Sequence, residues 1–218
     1  TNKDCKSIHV QWLEHWGGIF NAHPWLDGPK SSYLGFSAKG GGSTYEHSHG
    51  INIWQHFSLL FGCGFITEVL ALMNPIKTDS VDYDETTQLI VKTEKGLTGT
   101  IVQDVVTNPP VKCVKIQTSN KNIVWEANKQ KDLDSLTVNE KEKHFNKKRP
   151  DDFVGEIDHI DDILNNRVNI ESSPISLSRG IATMMVAVAA SLSSNTGKKV
   201  SIDYTRGYSH KAFSYSNS

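Results

Sequence analysis

The chain has 218 residues, 37% of them hydrophobic and 22% charged, with a formal net charge of -1. That length carries one substantial core, so a single domain over 1–218 is expected. The near-neutral balance gives no electrostatic case for nucleic acid or for an acidic membrane surface.

The first residues, TNKDCKS, are polar and do not read as a signal peptide. The longest apolar run, 181–192, falls short of the roughly 20 residues of a membrane span, so no membrane partner is expected. Cys5, Cys63 and Cys113 are widely spaced, odd in number and without a CxxC. They read as buried or incidental thiols of a reducing compartment, and a cytoplasmic location is expected.

In chain order, IHVQWL mixes β-branched and aromatic residues and predicts a strand over 7–14. Residues 15–36, punctuated by glycine and proline, read as a long loop. Trp16, Trp25 and Tyr33 lie in it, either as part of a lid or as anchors to the core. From Gly50, the residues Ile51, Trp54, Phe57 and Phe61 follow helical spacing until Gly62 and Gly64. A short apolar piece, 65–73, is expected to stop at Asn74-Pro75.

The middle of the chain reads as hairpins: 88–93 with 97–106, then 111–118 with 123–127, and a short strand at 136–138. Strands joined this closely run antiparallel. The basic stretch 141–149 reads as a solvated surface loop. Asp151 opens an amphipathic helix with Phe153, Ile157, Ile160 and Leu164 on one face. A third helix, rich in alanine, spans 177–194, and 198–204 forms a last strand. The tail 205–218 has no periodicity and reads as loosely held. The sum is an α+β fold: a mostly antiparallel open sheet with about three helices on one face.

The densest chemistry lies in GGGSTYEHSHGINIWQH, residues 40–56. Glu46, His47 and His49 there permit three readings. The first is proton transfer by an imidazole beside a carboxylate. An extended segment would put His47 and His49 on one side and Glu46 on the other, so a Glu46–His49 pair needs a turn between them. The second is a metal site built on the HxH, although the glutamate that a cupin motif wants is replaced by Ile53 and Trp54. The third is a polar helix start, with Ser48 as its cap.

The same stretch resembles the helix-start signature of the Gfo/Idh/MocA family of nicotinamide-dependent oxidoreductases. Further resemblances lie in family order over about 8–204: the hairpin with Gly96 and Asp104, the turn before IVWE, the helix DDFVGEIDHIDDIL, and the small-residue helix leading to GKKVSID. The resemblance is to the family's second domain. It implies that His49 contacts the reacting hydroxyl, that Glu46 assists it, and that Asn52 stands where many members carry aspartate. A substrate contact for His47 is a guess, with Trp25 and Tyr33 of the first loop as further substrate-binding candidates. It also implies NAD or NADP held mainly by an N-terminal Rossmann domain, since the chain carries neither GxGxxG nor GxxxxGK[ST]. A fragment inactive on its own, a sugar, cyclitol or related polyol substrate, and a homo-oligomer through the open sheet face complete the expectation. Two rivals remain: a non-catalytic carbohydrate-binding or assembly module, and a metal-dependent enzyme centred on His47 and His49.

Overall fold

A computed structural model describes residues 4–215. Its strands are β1 (Cys5–Leu13), β2 (Ile66–Lys77), β3 (Asp82–Thr93), β4 (Thr98–Asp104), β5 (Val111–Thr118), β6 (Asn122–Gln130), β7 (Leu133–Val138), β8 (Lys141–Asn146), β9 (Val200–Ile202) and β10 (Phe213–Tyr215). They form one sheet in the order β10-β9-β2-β3-β4-β1-β5-β6-β7-β8. β1 runs parallel to β4, and the other neighbouring strands run antiparallel. The helices are α1 (Gly17–Ala22), α2 (Gly42–Tyr45), α3 (His49–Leu60), α4 (Arg149–Leu164) and α5 (Leu177–Thr196).

The fold is thus the expected α+β with an open sheet, but with five helices where three were read. The two extra ones are short and lie in stretches whose glycines suggested loop. One face of the sheet is covered by α3 and α5. Ile8 and Val10 from β1, Val69 from β2, Leu89 and Val91 from β3 and Val114 from β5 share a core with Ile51, Trp54, Met185 and Val186. Alternation leaves Leu70, Leu72 and Ile90 exposed on the other face.

Three further expectations are corrected. β2 does not stop at Asn74-Pro75 but continues to Lys77 with a register shift there. Proline is tolerated because β9 pairs with β2 only at Glu68 and Val69, leaving the far part of that edge without a strand that needs its N–H. The edge is not bare, however: Ala71 N and Met73 N donate to the hydroxyls of Ser193 and Ser194 on α5. Residues 141–146 are not loop but the outermost strand β8, pairing with β7. All six are exposed, as suits a charged edge. Finally, the stretch from 205 to 215 is tied down, because Phe213–Tyr215 pairs with β9 and Ala212 is buried. Residues 216–218 of the expected tail lie outside the described residues.

The segment 170–196 is long and apolar enough to cross a membrane by length and composition. Ala182, Met185, Val186, Ala189 and Ala190 of α5 are nonetheless buried within this fold.

β1, β4 and α3 meet at Gly99. Trp54, fully buried, donates its indole N–H to Ile8 O at 2.9 Å. A Cβ on Gly99 would lie 1.9 Å from Ile8 O and 2.7 Å from Trp54 Nε1. Gly99→Ala should therefore lower the unfolding free energy by about 3 kcal/mol or more in urea titrations. A loss below about 1 kcal/mol would mean that this junction relaxes freely.

Candidate functional site

Residues 42–49 are not extended: α2 ends at Tyr45 and a turn over 46–48 leads into α3. Glu46 keeps right-handed helical conformation, and α3 begins at His49. The expected separation of Glu46 from the histidines therefore fails: all three line one cavity of about 380 Å³. Ser48 stands at the N-cap of α3, but its side chain makes no capping bond.

The clamp beneath this segment explains its path. Asp84, on β3 and 1% exposed, accepts four hydrogen bonds on one carboxylate oxygen. The donors are Ser43 Oγ, Thr44 N at 2.8 Å, Thr44 Oγ1 at 2.8 Å and Thr87 Oγ1 at 3.0 Å. Gln103 of β4, fully buried, donates Nε2 to Ser43 O at 2.6 Å. Gly42 has φ 89, and a Cβ there would lie 2.4 Å from Asp84 Oδ1. Only glycine fits that combination of left-handed backbone and close approach.

The cavity's other wall comes from the residues just after β1 and from α1, with Glu14, Trp16, Ile19 and His23. Glu14 directly follows β1, and its N–H donates to Asp104 Oδ1 at 3.2 Å. Its Oε2 lies 2.9 Å from Lys112 Nζ of β5 and 3.8 Å from His47 Nε2. Lys112 Nζ also sits 5.2 Å from the centre of the Trp12 ring, which packs at 6.1 Å against His49. The two histidine rings meet edge to face at 5.1 Å. Glu46 accepts from Trp16 Nε1 at 3.1 Å. The indole of Trp16 is what partners this carboxylate, and the carboxylate facing the imidazoles is Glu14.

Burial governs the charges. It pushes the His47 imidazole down to about 4, helped by His49 and Lys112 and opposed by Glu14 and Asp104. It also lowers His49, with Lys112 adding to the effect and Glu14 opposing it. Burial raises the Glu46 carboxyl, and the Trp16 hydrogen bond partly offsets this. At neutral pH both imidazoles are therefore uncharged, each with one lone pair able to take a proton. His47 Nε2 is buried and has no hydrogen-bond partner.

A second cleft of about 650 Å³ shares Glu14 and His49 with the first and reaches Lys112 and Phe153.

The remaining sequence candidates scatter. Asn52 is exposed and donates to Thr183 Oγ1 on α5 at 3.2 Å, turned toward a different crevice. Tyr33 is exposed but close enough to Glu46 for that carboxylate to push its phenol up, after burial. Trp25 is 73% exposed and packs on His23 at 5.1 Å. Trp16, by contrast, is buried with Leu34 and Val105 and anchors the first loop. Among the described residues, no three His, Cys, Asp or Glu side chains are grouped to hold a metal ion. Glu14 and Lys112 were not anticipated. A signal for Glu14 exists, since Ile8, Val10, Trp12 and Glu14 form the inward row of one strand and an acid there is out of place.

No protein-family model and no curated protein sequence matches the chain. Solved structures do match in shape. Levoglucosan dehydrogenase, in complex with NADH and levoglucosan, superposes with a TM-score of 0.66 at 12% identity, over 92% of this chain and 59% of that one. The WlbA dehydrogenase from Bordetella pertussis, with NADH and UDP-GlcNAcA, gives 0.62 at 14% identity over 93% and 56%. An oxidoreductase from Agrobacterium radiobacter, with NAD+, L-tartaric acid and magnesium, gives 0.62 at 13% identity over 90% and 56%. The chain has the fold of one part of these oxidoreductases. They are of the Gfo/Idh/MocA type, and this chain spans less than three fifths of their length.

Two outcomes follow for the site. Asp84→Ala leaves Thr44 N–H and three hydroxyls, of Ser43, Thr44 and Thr87, without their buried acceptor, and should cost about 2–4 kcal/mol in urea unfolding; a cost below about 1 kcal/mol would show that the clamp is dispensable. For His47, the folded value of about 4 lies below the ordinary 6.5. The unfolded chain therefore takes up a proton that the folded chain refuses as pH falls through that window. Stability from this residue is complete above pH 6.5 and is lost toward pH 4, by up to about 3 kcal/mol. His47→Gln should flatten that limb of a stability–pH curve, and identical slopes in the two proteins would refute the assignment.

Proposed function

We propose that this chain is the substrate-binding half of an NAD(P)-dependent oxidoreductase of the Gfo/Idh/MocA family, acting on a sugar, cyclitol or related polyol. The observation that carries the reading is the uncharged His49, set with His47, Glu46 and Glu14 in one cavity, on this fold. His49 accepts the proton of a substrate hydroxyl as that carbon is oxidised, which suits an imidazole that is neutral at physiological pH. His47 Nε2, buried and unpartnered, takes a second hydroxyl as its hydrogen-bond partner. Glu14 and Lys112 supply an acceptor and a donor side by side, the pairing that polyhydroxyl ligands use.

The dinucleotide itself does not fit this chain alone. There is no glycine-rich phosphate loop, and the cleft's lysines are paired, Lys112 with Glu14 and Lys147 with Asp134 and Asp152. NAD or NADP, held by a separate Rossmann domain, would take the hydride. That domain seats on α4, where Phe153, Ile157, Ile160 and Leu164 are exposed. Phe153 also lines the cleft that contains His49, so a domain on this face closes the site from the open side. The exposed Leu70, Leu72 and Ile90 of the sheet would pair with a second copy.

The test uses the chain alone and joined to its nucleotide-binding partner. Calorimetry with NADH should give no tight binding to residues 1–218; strong saturable binding would overturn the division of labour. In the assembled enzyme His49→Ala should lower polyol turnover by about 10²–10⁴-fold. Because burial lowers His49, wild-type kcat/KM should hold from neutral pH down to below 6.5 and fall only as His49 protonates. Turnover untouched by the substitution would favour a non-catalytic carbohydrate-binding module instead.

A further inference from the structure

Cys5 and Cys63 are 58 positions apart in the numbering but face one another in the fold. Cys5 opens β1, and Cys63 lies in the turn that follows α3, between two glycines. Each thiol donates to a backbone carbonyl, Cys5 to Ser7 O and Cys63 to Phe61 O, both at 3.8 Å, and the two are close enough to shift one another's titration. Both line one solvent-open cavity of about 460 Å³, with Lys95 beside them. Each is half-buried, whereas the third thiol, Cys113, is buried on β5.

We propose that Cys5 and Cys63 form a reversible disulfide under peroxide, a covalent modification site separate from the hydroxyl-binding cavity. Burial raises both thiols, and Lys95, which lines the same cavity, offsets this at Cys63. Cys63 is the attacking thiol, since the Lys95 ammonium favours its thiolate and partly offsets burial. Cys5 is the resolving thiol, more strongly disfavoured as a thiolate by burial and by Cys63. The Cys63 thiolate attacks one peroxide oxygen, breaking the O–O bond and leaving a sulfenic acid and hydroxide. Cys5 sulfur then attacks the sulfenic sulfur, forming the S–S bond and expelling the second oxygen as hydroxide. The two thiol protons neutralise both hydroxides, so two thiols and one peroxide give one disulfide and two waters.

The covalent loop so closed contains Glu14, Glu46, His47 and His49. It would fasten the whole site-bearing segment and restrict the unfolded chain.

The test treats the full 218-residue chain with hydrogen peroxide, then blocks free thiols and maps non-reduced peptides. The expected result is a loss of two hydrogen atoms from the intact mass, a linked peptide pair containing Cys5 and Cys63, and Cys113 still free. The melting temperature should rise by about 5–10 °C and return on adding dithiothreitol. Cys63→Ser should abolish the rise, and Cys113→Ser should retain it. The peptide map needs no variant, so a misfolded Cys63→Ser does not blunt the test. A sulfinic acid at Cys63 with Cys5 free, a link to Cys113, or both thiols unchanged would overturn the proposal.

Discussion

One buried carboxylate sets the geometry on which the candidate site depends. Asp84 carries a charge-bearing group into the interior of β3, and burial of such a group is costly unless it is fully bonded. Four donors on Oδ2 offset part of that cost, three of them from the two residues after Gly42, while Oδ1 is buried without a partner. The short α2 is too brief to be stable by itself. It exists because Ser43 and Thr44 are held on the sheet by Asp84 below and Gln103 beside. Glu46, His47 and His49 inherit their directions from that hold. Gly42 is there for the clamp, and Gly41 for the close approach of the Tyr33 and Leu34 carbonyls, rather than for a pocket floor of their own.

The sheet was legible because its residues obey a period of two. Leu89, Val91 and Ile101 are buried on alternate positions, and the connections between hairpins are marked by glycine, proline or asparagine. The errors fall where a tertiary partner overrides a local signal. Proline at 75 ends nothing because α5 hydroxyls, not a strand, serve that edge. Lysine-rich residues 141–146 form a strand because β7 offers them a ladder. Stretch 42–49 curls because Asp84 is 41 positions from Ser43 and invisible in a local window.

The site was half legible for the same reason. His47 and His49 announce themselves as a local pair, and Glu46 lies beside them. Glu14 lines their cavity and pairs with Lys112 of the neighbouring cleft, two residues far apart in sequence and brought together by the register of β1 with β5, which sets Trp12 opposite Lys112. That lysine helps to keep both imidazoles uncharged. The electrostatic character of the histidines is thus a property of sheet pairing as much as of their own neighbours.

The place of β1 has a consequence for how the chain can be assembled and cut. It is the first strand in sequence yet lies inside the sheet, with Val10 flanked by Ile101 on one side and Val114 on the other. Ladders on both sides wait on residues made roughly a hundred positions later, so β1 finds its neighbours late. A chain shortened to begin after Leu13 would not lose an edge. It would split the sheet into two halves with facing rows of unpaired backbone, each a template for a stray strand.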